Sequence, residues 1–141
     1  MRLNNFTDYA LRVLIYLALK EDERSTVAEI SRQYAISNNH LVKVVHKLSQ
    51  LNVIESFKGK GGGILLRTSA KNINIGQIIQ SFEQGSYLLD CFKPEGSCKI
   101  NPICKLKSIV ADAEDSFYKV FDEYTLADLV KNKTQLKARL F

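Results

Sequence analysis

Two short amphipathic segments joined by a tight turn, with a glycine-rich hairpin directly after them, leave few architectures open to this chain. Thr26-Val-Ala-Glu29 has the spacing of a capping box, so a helix is predicted to start there and to bury Val27, Ile30 and Tyr34. Ala35-Ile36 makes the turn, and Ser37 is a suitable N-cap for the next helix. That helix buries Leu41, Val44, Val45 and Leu48 and ends near Leu51-Asn52. Its outer face is polar, the pattern of a helix-turn-helix. Val53 to Phe57 alternates as a strand, Gly59-Lys60-Gly61-Gly62-Gly63 turns, and Ile64 to Arg67 returns, which predicts a β-hairpin wing over residues 53–67. The expected fold is therefore mainly α, with a winged helix-turn-helix domain over residues 1–71.

Residues 5–20 read as an amphipathic helix with Phe6, Tyr9, Ala10, Val13, Leu14, Leu17 and Ala18 on one face, closed by the charged turn Glu21-Asp22-Glu23-Arg24. Asn74 should cap a short helix that points Ile75, Ile78, Ile79 and Phe82 inward, and Gly85 to Asn101 has no periodicity and reads as a loop. These two pieces make a unit of residues 72–104. Asn101-Pro102 then reads as a helix start, with Asn as N-cap and Pro at the first helical position. From there Leu106, Ile109, Val110, Ala113, Phe117, Val120, Phe121 and Tyr124 keep a three-or-four spacing for about five turns, roughly 30 Å of helix. Nothing else in the sequence is large enough to cover that stripe. A second copy of the chain is the expected cover, making residues 105–131 a dimerisation helix plus a short final helix capped by Thr125-Leu-Ala-Asp128. Packing back across the N-terminal domain is the alternative. Residues 132–141 are expected to be a basic tail that frays.

Charge bears on the partner. The formal net charge is +5, and its distribution is uneven: residues 1–71 carry 11 Lys and Arg against 6 acids, residues 72–141 carry 9 against 9. The surplus lies in the helix-turn-helix half, as expected of a surface for double-stranded DNA, although ordinary surface solvation would also produce it. The exposed positions of the recognition helix are Asn38, Asn39, His40, Lys43, His46 and Lys47. Asn39, His40 and Lys43 are expected to reach base edges in the major groove, with Asn38 beside them, and Lys47 to touch phosphate. In the wing, Lys58, Lys60 and Arg67 supply charge near the minor groove. The wing glycines lack the Lys-Ser/Thr ending and following helix of a phosphate loop. No acid–base pair or nucleophile–base arrangement is visible, so the chain is not expected to be an enzyme.

All three cysteines of the chain, Cys91, Cys98 and Cys104, fall in the one loop with the spacing C-x6-C-x5-C. Thiolates are the soft ligands that iron–sulfur clusters take, and three of them leave a position for a fourth group. Structural zinc would favour tighter knuckles with a histidine close by, and His40 and His46 lie elsewhere. Cys104 is expected in a first helical turn, where the helix N-terminus favours a thiolate. Lys93, Lys99, Lys105 and Lys107 flank the cysteines and would offset an anionic cluster. Three reduced thiols with no metal is the plain alternative. The odd cysteine count argues against a disulfide framework, and no apolar run approaches the roughly 18 residues of a membrane span. With no signal peptide read before the first helix, a cytoplasmic protein with no membrane partner is expected.

Several segments occur together and in order: Met1-Arg-Leu-Asn-Asn-Phe-Thr-Asp-Tyr-Ala-Leu-Arg-Val-Leu14, Ser37-Asn-Asn-His-Leu-Val-Lys-Val-Val45, Gly59-Lys-Gly-Gly-Gly63, and Asn74-Ile-Gly76 with three downstream cysteines. As a set they resemble the winged-helix iron–sulfur transcriptional regulators, over nearly the whole chain apart from its tail. Some members place a histidine shortly after the third cysteine as the fourth ligand, whereas Lys105-Leu106-Lys107 stands here. The chain looks most like the nitric-oxide-sensitive repressors of that family. The resemblance implies a homodimer on a near-palindromic DNA operator, nitric oxide as signal, and a [4Fe-4S] cluster, with [2Fe-2S] the alternative. It also implies Cys91, Cys98 and Cys104 as ligands, with Asp8 donated by the other subunit. From the residues alone, Asn5-Phe-Thr-Asp8 reads as a capping box, and only the resemblance makes Asp8 a ligand. Arg12, one turn on, could hold the Asp8 carboxylate behind the cluster or form an ordinary surface pair. A general iron–sulfur or redox-sensing regulator of the same family remains open. So do a small electron-transfer iron–sulfur protein and a winged-helix DNA binder without metal.

Overall fold

The computed structural model describes residues 2–141. Helix α1, Asn5–Lys20, begins at Asn4, whose side-chain oxygen accepts from the Thr7 N–H at 2.9 Å. The cap is therefore Asn4, and the box read into Asn5-Phe-Thr-Asp8 does not form. Two adjacent asparagines made either register plausible, and the backbone took the earlier one. Helix α2, Val27–Tyr34, starts at the predicted capping box of Thr26 and Glu29. Ala35 takes a left-handed conformation at its end, and α3, Asn38–Gln50, follows. Ser37 sits at the N-cap of α3 without a side-chain hydrogen bond, while its carbonyl accepts from His40 and Leu41.

Strands β1, Ile54–Phe57, and β2, Gly63–Leu66, pair antiparallel with Ile54 opposite Leu66 and Phe57 opposite Gly63. The turn between them needs its glycines: Gly59 and Gly61 have φ of 86° and 75°, and a Cβ on Gly62 would lie 2.4 Å from the Phe57 carbonyl oxygen. Ser25 adds one rung to β2 by exchanging backbone hydrogen bonds with Ile64. The fold is thus mainly helical with a winged helix-turn-helix, as the patterning indicates.

Helix α4, Ile75–Glu83, is capped by Asn74 and buries Ile75, Ile78, Ile79 and Phe82. After the loop come α5, Lys105–Asp122, α6, Leu126–Leu129, and α7, Lys133–Leu140. One apolar core runs from Ala10, Leu14 and Leu17 of α1 through Leu41 and Leu48 of α3 to Ile79 of α4, Leu126 and Val130. Two expectations need correction. Asn101-Pro102 does not open the long helix: Asn101–Ile103 is a single 3-10 turn, and the extended backbone of Cys104 separates it from α5. The tail does not fray, because Leu136 and Leu140 pack against the core and Phe141 meets the Tyr16 ring edge-on at 5.1 Å. Two apolar residues one turn apart are too short a run to be read as amphipathic.

The end of α5 is stapled to the start of α4. The Asn74 side chain donates to the Asp122 carbonyl at 2.7 Å, and backbone bonds link Ile75 to Tyr124 and Leu126 to Ile73. None of the 18 residues of α5 is buried. Its apolar stripe is split: Val110, Phe117 and Phe121 are half-covered, whereas Leu106, Ile109 and Val120 stay more than half exposed. No helix of the described residues is long and apolar enough to cross a membrane.

Candidate cysteine loop and nucleic-acid face

Between α4 and α5 the chain makes only short local turns, with backbone bonds such as Phe92 to Leu89, Gly96 to Lys93 and Asn101 to Cys98. Cys91 lies in the 3-10 turn Asp90–Phe92, Cys98 is exposed, and Cys104 occupies the N-cap of α5. The two limbs of the loop touch at Gly96, where a Cβ would come within 2.6 Å of the Asp90 carbonyl oxygen and 3.1 Å of the Cys91 Cα. Cys104 borders an open hollow of about 550 Å³, together with Phe92, Pro102 and Lys107.

All three thiols are free. Among the described residues no three His, Cys, Asp or Glu side chains converge as ligands of one metal ion. The donor set is nevertheless the one an iron–sulfur cluster takes: three soft sulfurs, none in a disulfide, on one loop of short local turns. By donor chemistry the residues fit the group.

The flanking lysines are not equivalent. Lys93 is paired with Asp90, and its hydrogen bond and charge hold that carboxyl below its ordinary value. Lys107 donates to the Asn101 side chain at 2.7 Å. Lys99 and Lys105 remain exposed.

Asp8 projects from the first turn of α1, and Arg12 Nε donates to its carboxylate at 2.9 Å. Because Asn4 serves as the cap, the Asp8 carboxylate is used by nothing in the backbone. The same turn is tied to α4 by Glu83, a buried carboxylate that accepts from the Asn4 N–H at 2.9 Å and from the Thr7 hydroxyl. Glu83 stands one turn after Ile79 on the buried face of α4, where apolar spacing does not mark a carboxylate.

On the recognition helix, Asn38, Asn39, His40 and Lys43 are exposed, as are Lys58, Lys60 and Arg67 of the wing. Arg67 also donates to the Asn52 side chain at 3.0 Å. Two of the expected contacts have other attachments. The Lys47 ammonium lies 4.8 Å above the Phe82 ring, turned toward α4. His40 stacks on Tyr9 at 6.0 Å and meets Phe6 edge-on at 5.8 Å, so both residues that grip it flank Asp8. Arg24 was not singled out from the sequence. It lies 3.8 Å over the Phe57 ring and donates to the Gly61 carbonyl at 3.1 Å, bracing the wing from the turn before α2. No local pattern signals it.

The family described as Rrf2, iron-dependent transcriptional regulator, matches residues 3–132. The regulator named "HTH-type transcriptional regulator NsrR" from Oceanobacillus iheyensis is 46% identical over 98% of this chain and 95% of its own length. Its namesake from Bacillus subtilis is 43% identical over 96% and 94%. Among solved structures, the oxidized form of CymR from Staphylococcus aureus has a TM-score of 0.72 at 26% identity, covering 93% of this chain and 97% of that one. T. potens IscR has a TM-score of 0.75 at 20% identity, covering 94% and 88%, and shares the fold.

Proposed function

This chain belongs to the Rrf2 family of transcriptional regulators, and we propose that it is a homodimeric repressor whose hold on its operator depends on an iron–sulfur cluster sensitive to nitric oxide. It regulates transcription and is not an enzyme, as its named relatives indicate. In this reading residues 1–71 bind DNA, residues 72–104 carry the cluster loop and residues 105–131 join the subunits. Cys91, Cys98 and Cys104 of one subunit hold the cluster, [4Fe-4S] in preference to [2Fe-2S], and Asp8 of the partner subunit completes it. When bound, the cluster supplies an iron centre open to attack by a small ligand.

The observation that carries this reading is the pairing of two features. Every thiol of the chain is on one loop, and a carboxylate in the first turn of α1 has no structural duty beyond its surface pair with Arg12. A carboxylate is a harder donor than thiolate, so Asp8 would hold an iron of the cluster less firmly than the three cysteines would. Arg12 is the residue that pairs with the Asp8 carboxylate when no iron does. Phe6 and Tyr9, on either side of Asp8, grip His40 at the start of α3. Moving the first turn of α1 therefore moves the N-terminus of the recognition helix, and half-sites a helical turn apart tolerate little of that.

The test is binding of anaerobically prepared protein to a fragment of its target promoter, before and after nitric oxide, at one salt concentration. Binding should weaken as the visible absorbance of the cluster bleaches. A colourless preparation that binds the fragment equally well with and without nitric oxide removes both the cofactor and the signal.

A further inference from the structure

The second helix of a helix-turn-helix lies in the major groove with its N-terminal residues against base edges. In α3 the structure narrows which residues those are. His40 is held by Phe6 and Tyr9, and Lys47 leans over the Phe82 ring, so both are turned toward α1 and α4. One face of α3 belongs to the core, where Leu41, Val44 and Leu48 are fully buried and Val45 nearly so. The exposed positions carry asparagine, histidine, lysine and glutamine, with one exception, Val42.

Val42 is 49% exposed. An apolar side chain on a surface is ordinary by itself, and its place is what informs. It stands in the second turn of α3. At about 100° per residue it lies about 40° from both Asn38 and His46, on either side, and about 60° from Asn39. Polar residues free to meet base edges therefore flank it. Valine is also a weaker helix former than the lysine or glutamine elsewhere on this face, so the helix itself gains nothing from it.

In the groove, a side chain with no donor or acceptor desolvates any polar base edge it covers and returns no hydrogen bond. Among the groups that base pairs display there, the apolar one is the thymine C5-methyl. Asn38 and Asn39 carry the amide that pairs with adenine, and the partner of adenine is thymine. We propose that Val42 is a specificity-determining residue of α3, packing on a thymine methyl in each half-site beside an adenine-reading asparagine. The inference rests on α3 being the DNA-reading helix, and the experiment separates the two.

The probe is a fragment of the target promoter in which thymines are replaced, one position at a time in both half-sites, by uracil, which lacks only the methyl. Anaerobically prepared protein should lose affinity at one such position by about fourfold per half-site, the ratio for withdrawing one methyl-sized group from an apolar contact, about 0.8 kcal/mol. Val42→Ala should bind the unmodified fragment more weakly and make no distinction at that position. It should fold as wild type does, because the site is exposed and alanine is the better helix former. Lys60→Ala in the wing should weaken binding and keep the uracil penalty. A penalty that survives in Val42→Ala, or one that Lys60→Ala also removes, overturns the proposal. So does wild-type protein that ignores uracil at every position while preferring the promoter to a scrambled duplex, a result that leaves the DNA-reading role of α3 intact. Equal affinity for promoter and scrambled duplex would end that role, and the proposal with it.

Discussion

Asn4 and Asp8 stand one turn apart at the head of α1, and the backbone uses only the first. Asn4 satisfies the Thr7 N–H, donates to the Phe82 carbonyl at 2.9 Å, and through its own N–H reaches the buried Glu83. Asn4→Ala should therefore destabilise the apo protein by about 1–2 kcal/mol, the range of a lost helix cap. Asp8→Ala loses an exposed pair with Arg12 and a first-turn charge at the helix N-terminus, together worth about 1 kcal/mol or less. Urea denaturation of both apo variants checks the contrast. The cluster spectrum and its response to nitric oxide should change in Asp8→Ala, and equal behaviour to wild type would return Asp8 to a surface role. At this scale the sequence was informative about residue type and poor about partners. The cysteines stand out by chemistry and spacing, whereas Asp8 and Arg12 are marked only by the resemblance to the iron–sulfur regulators. The sequence assigned the cap one residue late, and it offered Lys47 to phosphate when the Phe82 ring, 35 positions away in the chain, holds its ammonium.

Helices α4 and α5 meet through a glycine. A Cβ on Gly76 would lie 1.8 Å from the Asp122 carboxylate, which can swing aside, and 2.9 Å from the Asp122 backbone nitrogen, which cannot. Gly76→Ala is expected to destabilise by about 1–3 kcal/mol, as overpacking does. Adding Asp122→Ala should recover only part of that. Thermal unfolding of the single and double variants decides the point. The exposed side of α5 has a different fate. Leu106, Ile109 and Val120 are 58%, 53% and 56% exposed along a helix of 18 residues, about 27 Å long. Leu106→Asp together with Ile109→Asp should shift the solution mass from dimer toward monomer in sedimentation equilibrium, and an unchanged mass would mean that the subunits meet elsewhere. Periodicity made this helix legible, and it could not divide the stripe. Tyr118 and Phe121 pack against the core, while Leu106 and Ile109 do not, a distinction that apolar spacing alone cannot make. The start of α5 was misplaced because Asn-Pro opens a 3-10 turn as readily as an α-helix.

At the scale of the molecule, the fold has one core although its labour is divided. Leu126 of α6 is fully buried beside α1, and the cap that seats it titrates. The Lys131 ammonium, then the Thr125 N–H and hydroxyl, hold the Asp128 carboxyl at about 2, below its ordinary 3.8. Since the folded value is the lower one, the stabilisation is complete above about pH 4 and is lost as pH falls toward 2. The stability gap between wild type and Asp128→Asn should close over that window, and a gap that stays constant down to pH 2 would show that Asp128 acts by shape alone. The common core was only partly visible beforehand. Apolar spacing marked Ile75 and Ile79 as buried, and no local pattern marked Leu126 or could say that α1 is what buries all three.

A chain with one core and one loosely tied loop should exchange its amide hydrogens on two clocks. The amides of α1, α4 and α6 can open only when the whole core does, so they should share the slowest rate. Those from Leu89 to Asn101, bonded within short turns, should exchange close to the rate of an unfolded peptide. Loading the cysteines would slow the second clock and leave the first nearly unchanged. Deuterium uptake in that peptide would then report the state of the cofactor in the absence of DNA.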